Sequence, residues 1–193
     1  MTPEPLPLLL RRLQQLHRAL EAAGFEHAVG GALALAVHVL ESRATVDIDL
    51  NVIADPQRPR PLLDCLPAPI IRHTQAADEL RQSGQTRLWW RDDDGIDTPV
   101  DLFLPQHPEF HQLVNDRAEP FLFGDVPIKV ISATDLMVFK MLFNRRKDWA
   151  DIESLIDAGT ADVGEAAAWI RRFLGDDEPR LVQLRQIVEE RAT

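Results

Sequence analysis

A single cysteine, Cys65, stands in 193 residues, which rules out an internal disulfide and any zinc site built from several thiolates. Lysine is nearly as scarce. Lys129, Lys140 and Lys147 are the only three among 21 basic residues, the rest being arginine. Each lysine therefore stands out from its background. No run of about 18 apolar residues is available to cross a membrane as a helix. The opening MTPEPLPLLLRR places its basic pair after the apolar run, the reverse of a signal peptide. A cytoplasmic location without a membrane partner is expected. Positive charge is also in deficit: the net charge of -10 argues against a surface given over to nucleic acid, while leaving room for one basic cleft. What remains, 45% hydrophobic and 27% charged residues, is the composition of a chain that buries a core.

Leu9, Leu13, Leu16 and Leu20 recur near the helical period over residues 6–23, with Gly24 as a stop. Residues 25–30 read as a short strand turning at Gly30-Gly31, followed by an alanine-rich buried helix over 32–40. Ala44 to Val52 alternates as a strand should. The proline-rich stretch 55–69 is expected to be irregular, with a weak helix over 75–82. Strands at Thr86–Arg91 and Pro99–Pro105 are joined by the turn Asp92-Asp93-Asp94-Gly95. A hairpin is expected over 120–131, its second strand an edge because of Pro127. Ser132 and Asp148 are candidate helix caps, and Pro179 suits the start of a last helix. The order implies an α/β (α+β) fold. A mixed sheet flanked by helices would occupy 1–131, and a C-terminal helical bundle 132–193.

Within the strand, Asp47 and Asp49 are two apart and project to one face, while Val46, Ile48 and Leu50 face the core. Adjacent carboxylates repel, and a sheet gains nothing from them. A hard divalent cation, Mg²⁺ or Mn²⁺, resolves the repulsion and leaves room for phosphates. Asp101 lies on a similar strand, Val100-Asp101-Leu102-Phe103. If the two strands are neighbours it becomes the third metal-binding carboxylate, and three can hold two ions about 4 Å apart. Gly30-Gly31, between strand and helix, offers backbone N–H groups and a helix dipole to an anion.

These pieces, Gly30-Gly31, Thr45-Val46-Asp47-Ile48-Asp49-Leu50 and Val100-Asp101-Leu102-Phe103, resemble the nucleotidyltransferase superfamily of DNA polymerase β-like fold. The likeness is nearer to its bacterial branch of abortive-infection and toxin–antitoxin nucleotidyltransferases. It continues through Ala133-Thr134-Asp135-Leu136 to Lys140, and through Arg146-Lys147-Asp148 to Asp151-Ile152. Ala32 departs from the hydroxyl residue of many relatives. The resemblance implies that Gly30 and Gly31 contact a nucleoside triphosphate and that Asp47 and Asp49 bind metal. It implies that Asp101 activates an acceptor hydroxyl, and that Lys140 meets the phosphates, oriented by Asp148 or Asp151. It further implies transfer of a nucleoside monophosphate to an acceptor, RNA or tRNA being favoured, and a cognate antitoxin as partner protein. The competing expectation is a non-catalytic nucleotide-binding or protein-interaction module of a toxin–antitoxin pair.

Lys140 sits in a helix apolar on nearly every side, where it either meets phosphate or snorkels to the helix edge. Read as an unpaired charge, it is expected to be replaceable by methionine at little cost in stability. Arg145-Arg146-Lys147 reads as a solvated helix end pairing with Asp148 and Asp151. The Asp92–Gly95 segment lacks the glutamate of a calcium loop, and His107 and His111 lack a helical zinc motif. Of Trp89 and Trp90, one ring belongs to the core and the other is free to stack on a base.

Overall fold

The computed structural model describes residues 6–39 and 44–191. The chain divides into two compact units, one of Met1–Leu33 and Ala44–Ile131, the other of Ala34–Arg43 and Ser132–Thr193.

The first unit is a mixed seven-stranded sheet. Its strands are β1 (His27–Val29), β2 (Ile48–Val52), β3 (Ile70–Ile71), β4 (Gln85–Trp90), β5 (Thr98–Phe103), β6 (Glu119–Phe123) and β7 (Val126–Val130). They lie in the order β3-β4-β5-β2-β1-β7-β6. The central pair β2–β5 is parallel, as is β1–β7, and the other pairings are antiparallel. Helix α1 (Leu8–Ala22) presents Leu13, Leu16 and Leu20, all fully buried, each worth about 1.5–3 kcal/mol by removal from water. The sheet supplies Ile48, Leu50, Val100 and Leu102 to the core, also without exposure. The Asp92–Gly95 segment is a turn held from α1: the buried Arg12 forks onto Asp92 (2.7 Å) and Asp94 (2.9 Å) and donates to the Ile96 carbonyl (2.8 Å).

Several local expectations give way to tertiary context. The strand at Asp47 starts later than its alternation suggests, because regular pairing begins only at Ile48, opposite Val100. Asp47 therefore precedes β2; its N–H is taken by the Thr45 hydroxyl at 3.1 Å, a local bond that competes with the ladder. Val46, expected in the core, is two-thirds exposed for the same reason. In the proline-rich stretch, α3 (Arg60–Cys65) forms with proline in its first turn, where the missing N–H costs nothing. The expected helix near 75–82 is α4 (Ala76–Ser83), closed by Gly84.

Helix α5 (Pro108–Asp116) was not foreseen; Pro108 starts it, and the His111 ring engages the His107 carbonyl of its first turn. Strand β7 is interior, not an edge. Its overlap with β1 is confined to Val29 opposite Val130, so Pro127 faces no β1 carbonyl and withholds no N–H from that ladder. Of this hairpin β6 is the edge strand, and β3 is the edge on the other side of the sheet.

Helix α2 (Gly31–His38) begins in the first unit, and its residues from Ala34 belong to the second. The second unit otherwise comprises α6 (Ala133–Phe143), α7 (Arg146–Asp157), α8 (Val163–Leu174) and α9 (Pro179–Arg191). Helix α6 packs on α7 and α8, and α9 packs on both of those. Ser132 caps α6 by accepting the Asp135 N–H at 3.1 Å. Asp148 is not the cap residue of α7. Arg145 holds that position, and Asp148, in the first turn, reaches back to its N–H at 3.0 Å. Among the described residues no helix is long and apolar enough to cross a membrane.

Candidate active site

Strand parity puts Asp49, Asp101 and Arg87 on one face of the sheet. Asp49 stands directly across from Asp101 in the parallel β2–β5 pair, and Asp101 directly across from Arg87 in the antiparallel β5–β4 pair. Asp47 adjoins the end of β2 on the same side, close enough for its carboxylate to meet Arg87. On the other flank, the Gly30 N–H donates to the Asp49 carbonyl at 2.9 Å. Gly31, at φ 57°, opens α2 beside the Asp49 side chain. A β-carbon on Gly31 would fall 1.9 Å from Asp49 Oδ2, and one on Gly30 would fall 2.8 Å from Asn51 Nδ2. Gly31 is therefore required by close approach and by its backbone angle, whereas at Gly30 the near atom is the end of the Asn51 side chain, which can give way. The carboxylate of Asp49 thus lies against a helix N-terminus, where the backbone dipole favours negative charge.

Sequence reasoning missed Arg87. Its Nε donates to Asp101 Oδ1 at 2.7 Å and its Nη2 to Asp101 Oδ2 at 2.6 Å, a bidentate pair; Nη2 also reaches Asp47 Oδ2 at 3.4 Å. The hydrogen bond to Asp101, opposed by burial and reinforced by the charges of Asp101, Asp47 and Asp49, raises the guanidinium pKa further above its ordinary range. The available signal was an arginine on the exposed parity of a strand next to that of Asp101, and only the register tells which residue it opposes.

The donor set is all oxygen, which suits a hard divalent ion, and a guanidinium already spans two of the three carboxylates, so the local field calls for a cation. Their chemistry suits such an ion, although among the described residues no group of three His, Cys, Asp or Glu side chains is positioned to hold one. Trp89 shares this face with Arg87, is 36% exposed and has the Arg91 guanidinium 5.9 Å from its ring centre; Trp90 is buried on the other face. A separate cavity of about 440 Å³, lined by His17, Glu21, His27, Pro120, Pro127 and Lys129 among others, does not include Asp47, Asp49 or Asp101.

Lys140, Asp148 and Asp151 all lie in the helical unit. Lys140 neither snorkels nor stands unpaired: its ammonium meets Asp151 at 2.5 Å, and both side chains are at least 95% buried. Asp148 is fully buried and accepts from Arg145 Nε at 2.7 Å and Nη2 at 3.0 Å. Burial pushes its carboxyl up, but the hydrogen bonds from the Arg145 side chain and backbone prevail and lower it. Of the basic run, Arg145 takes Asp148 as expected, whereas Asp151 is taken by Lys140.

No curated protein matches the sequence. Among solved structures, an antigenic nucleotidyltransferase-like protein from Paracoccidioides brasiliensis superposes with a TM-score of 0.53 at 18% identity, over 92% of this chain and 94% of that one. The lincomycin-bound lincosamide antibiotic adenylyltransferase LnuA gives a TM-score of 0.51 at 16% identity, over 80% of this chain and 99% of its own. At such identities these two establish the fold. The family is established by sequence, for the AbiEii nucleotidyl transferase toxins match residues 11–192. This chain therefore belongs to the AbiEii family of nucleotidyl transferase toxins of type IV toxin–antitoxin systems.

Proposed function

We propose that the chain moves a nucleoside monophosphate from an NTP to a hydroxyl of an RNA acceptor, with Mg²⁺ or Mn²⁺ held by Asp47, Asp49 and Asp101. The observation that carries this reading is the register of Asp49 against Asp101, with Gly30-Gly31 packed on the Asp49 flank. When bound, the ion would neutralise triphosphate charge at the carboxylates. The N–H groups opening α2 would orient the triphosphate. Asp101 would accept the proton of the acceptor hydroxyl as its oxygen bonds to the α-phosphorus. The bond from that phosphorus to the bridging oxygen then breaks, and pyrophosphate leaves. Such transfer is mainly positioning and charge stabilisation, which these residues supply.

The sheet order also gives the site two sides. Gly30-Gly31, between β1 and α2, flank Asp49, and Arg87 and Trp89 on β4 flank Asp101. The triphosphate belongs on the first side and the acceptor on the second, where a half-exposed cation and an indole suit phosphate and base. Lys140 and its partner Asp151 serve phosphate binding by resemblance alone, and a cognate antitoxin is the expected partner. Incubating the protein with each labelled NTP, Mg²⁺ and total RNA tests the reading. Label should appear on RNA and vanish with Asp49→Asn. Label on protein instead would move the acceptor class, and no labelled product with any NTP would overturn the proposal.

A further inference from the structure

Arg87 makes a cross-strand pair of unusual extent. A single exposed arginine–carboxylate pair contributes little, yet this one occupies both oxygens of Asp101 and reaches beyond them to Asp47, a residue outside the strand. It thereby covers two of the three carboxylates that the proposed function assigns to the metal. A guanidinium bound through both oxygens and a divalent ion cannot share Asp101 without giving up at least one of the N–H···O bonds. They also repel: like charges a few ångströms apart in a partly buried site interact far more strongly than in water. The Arg87 side chain is 48% exposed, whereas that of Asp101 is only 14% exposed. The mobile partner is therefore the arginine, and its exit toward solvent is open.

Resting on that reading of the carboxylates, we propose that Arg87 is the resident counter-cation of the metal-free site, a positioning residue that is exchanged for the divalent ion. In the free protein it holds Asp101 and Asp47 together and relieves their repulsion. On metal loading it releases at least one Asp101 oxygen and turns toward the acceptor side of β4, where its charge faces an acceptor phosphate. Metal binding and the Arg87–Asp101 pair are thus thermodynamically opposed, and by reciprocity each weakens the other. The exchange keeps the carboxylates at their spacing when no ion is present, and it sets a threshold concentration of metal below which the site stays closed to it.

The test is the affinity of the full-length protein for Mn²⁺ alone, read from free Mn²⁺ by electron paramagnetic resonance, without NTP or RNA. Arg87→Gln is expected to bind Mn²⁺ at least fivefold more tightly than the unaltered chain, and Arg87→Lys, which keeps charge but loses the fork, to fall between them. Thermal melts give a second readout: without metal Arg87→Gln should melt below the unaltered protein, and saturating Mn²⁺ should raise its melting temperature by more. Adding Asp49→Asn should abolish the binding gained. Equal or weaker Mn²⁺ affinity in Arg87→Gln overturns the exchange, and if label transfer persists in the unaltered protein the function stands without it. No Mn²⁺ binding by either chain overturns the exchange and the metal assignment together.

Discussion

Lys140 illustrates how a single side chain changes meaning once its neighbour is known. Removing it takes the ammonium away from Asp151, whose side chain is about 95% buried. Such a break costs about 3–5 kcal/mol, not the small amount expected of an unpaired lysine. Lys140→Met should therefore lower the urea midpoint sharply, and Lys140→Met combined with Asp151→Leu should regain most of the loss. If the single variant is as stable as the parent, the pair carries no weight in the fold. Gly31 is a second residue-scale case. Alanine there must take φ 57° and place its β-carbon against Asp49 Oδ2, so the carboxylate has to move by an ångström or more. Displacement on that scale costs about 100-fold in rate when geometry governs catalysis. The initial rate of label transfer by Gly31→Ala should fall accordingly. A rate near the parent's would remove Asp49 from the site.

At the scale of elements, the joint between α6 and α7 depends on a residue the sequence did not flag. Asn144 closes α6 at φ 55°, the only non-glycine with positive φ among the described residues, and its side chain accepts the Trp149 indole N–H at 2.8 Å. Left-handed backbone costs an alanine about 1–2 kcal/mol and a glycine almost nothing. Asn144→Gly should lose only the indole bond, about 1 kcal/mol. Asn144→Ala should be less stable than Asn144→Gly by about another 1 kcal/mol, as measured by chemical denaturation. Equal stabilities would mean that the turn tolerates alanine.

Elements were legible where the pattern was local. The Leu13, Leu16 and Leu20 stripe, the Ser132 cap and the alternation around Trp89-Trp90 each announce their structure. Asp47 was misread because an alternating sequence continues past the point where neighbouring strands stop pairing. Pro127 was misread because its tolerance depends on how far β1 extends alongside it.

Across the whole molecule, buried histidines and held carboxylates act in separate pH windows. Burial lowers His17, His27 and His111 from their ordinary 6.5, chiefly by withholding water from the imidazolium. Below that value the unfolded chain takes up protons that the folded chain refuses, so stability rises with pH and is lost as pH falls. The carboxylates follow at lower pH. Asp148 is lowered by Arg145 despite its burial, and Asp92 is drawn down to about 2, first by the Trp90 indole N–H. Their contribution is present above the ordinary 3.8 and is lost as pH drops through the lowered values. Denaturation at pH 7.5, 5.5 and 2 should therefore show two successive losses of stability, the second below 3.8, and a profile flat from 7.5 to 5.5 would contradict the burial of the histidines.

Local causes in the sequence set the amphipathic stripe of α1, the Gly30-Gly31 turn, the Ser132 cap of α6 and the identities of the three aspartates. The sequence by itself also determined the family, because the ordered motifs lie within one continuous match. Tertiary structure alone decided which strand lies beside which. It placed Asp101 opposite Asp49, brought Arg87 onto Asp101 and Asp47, and paired Lys140 with Asp151. The physical reason is that strand periodicity fixes the face a residue takes, whereas register and partner come from contacts far apart in the chain.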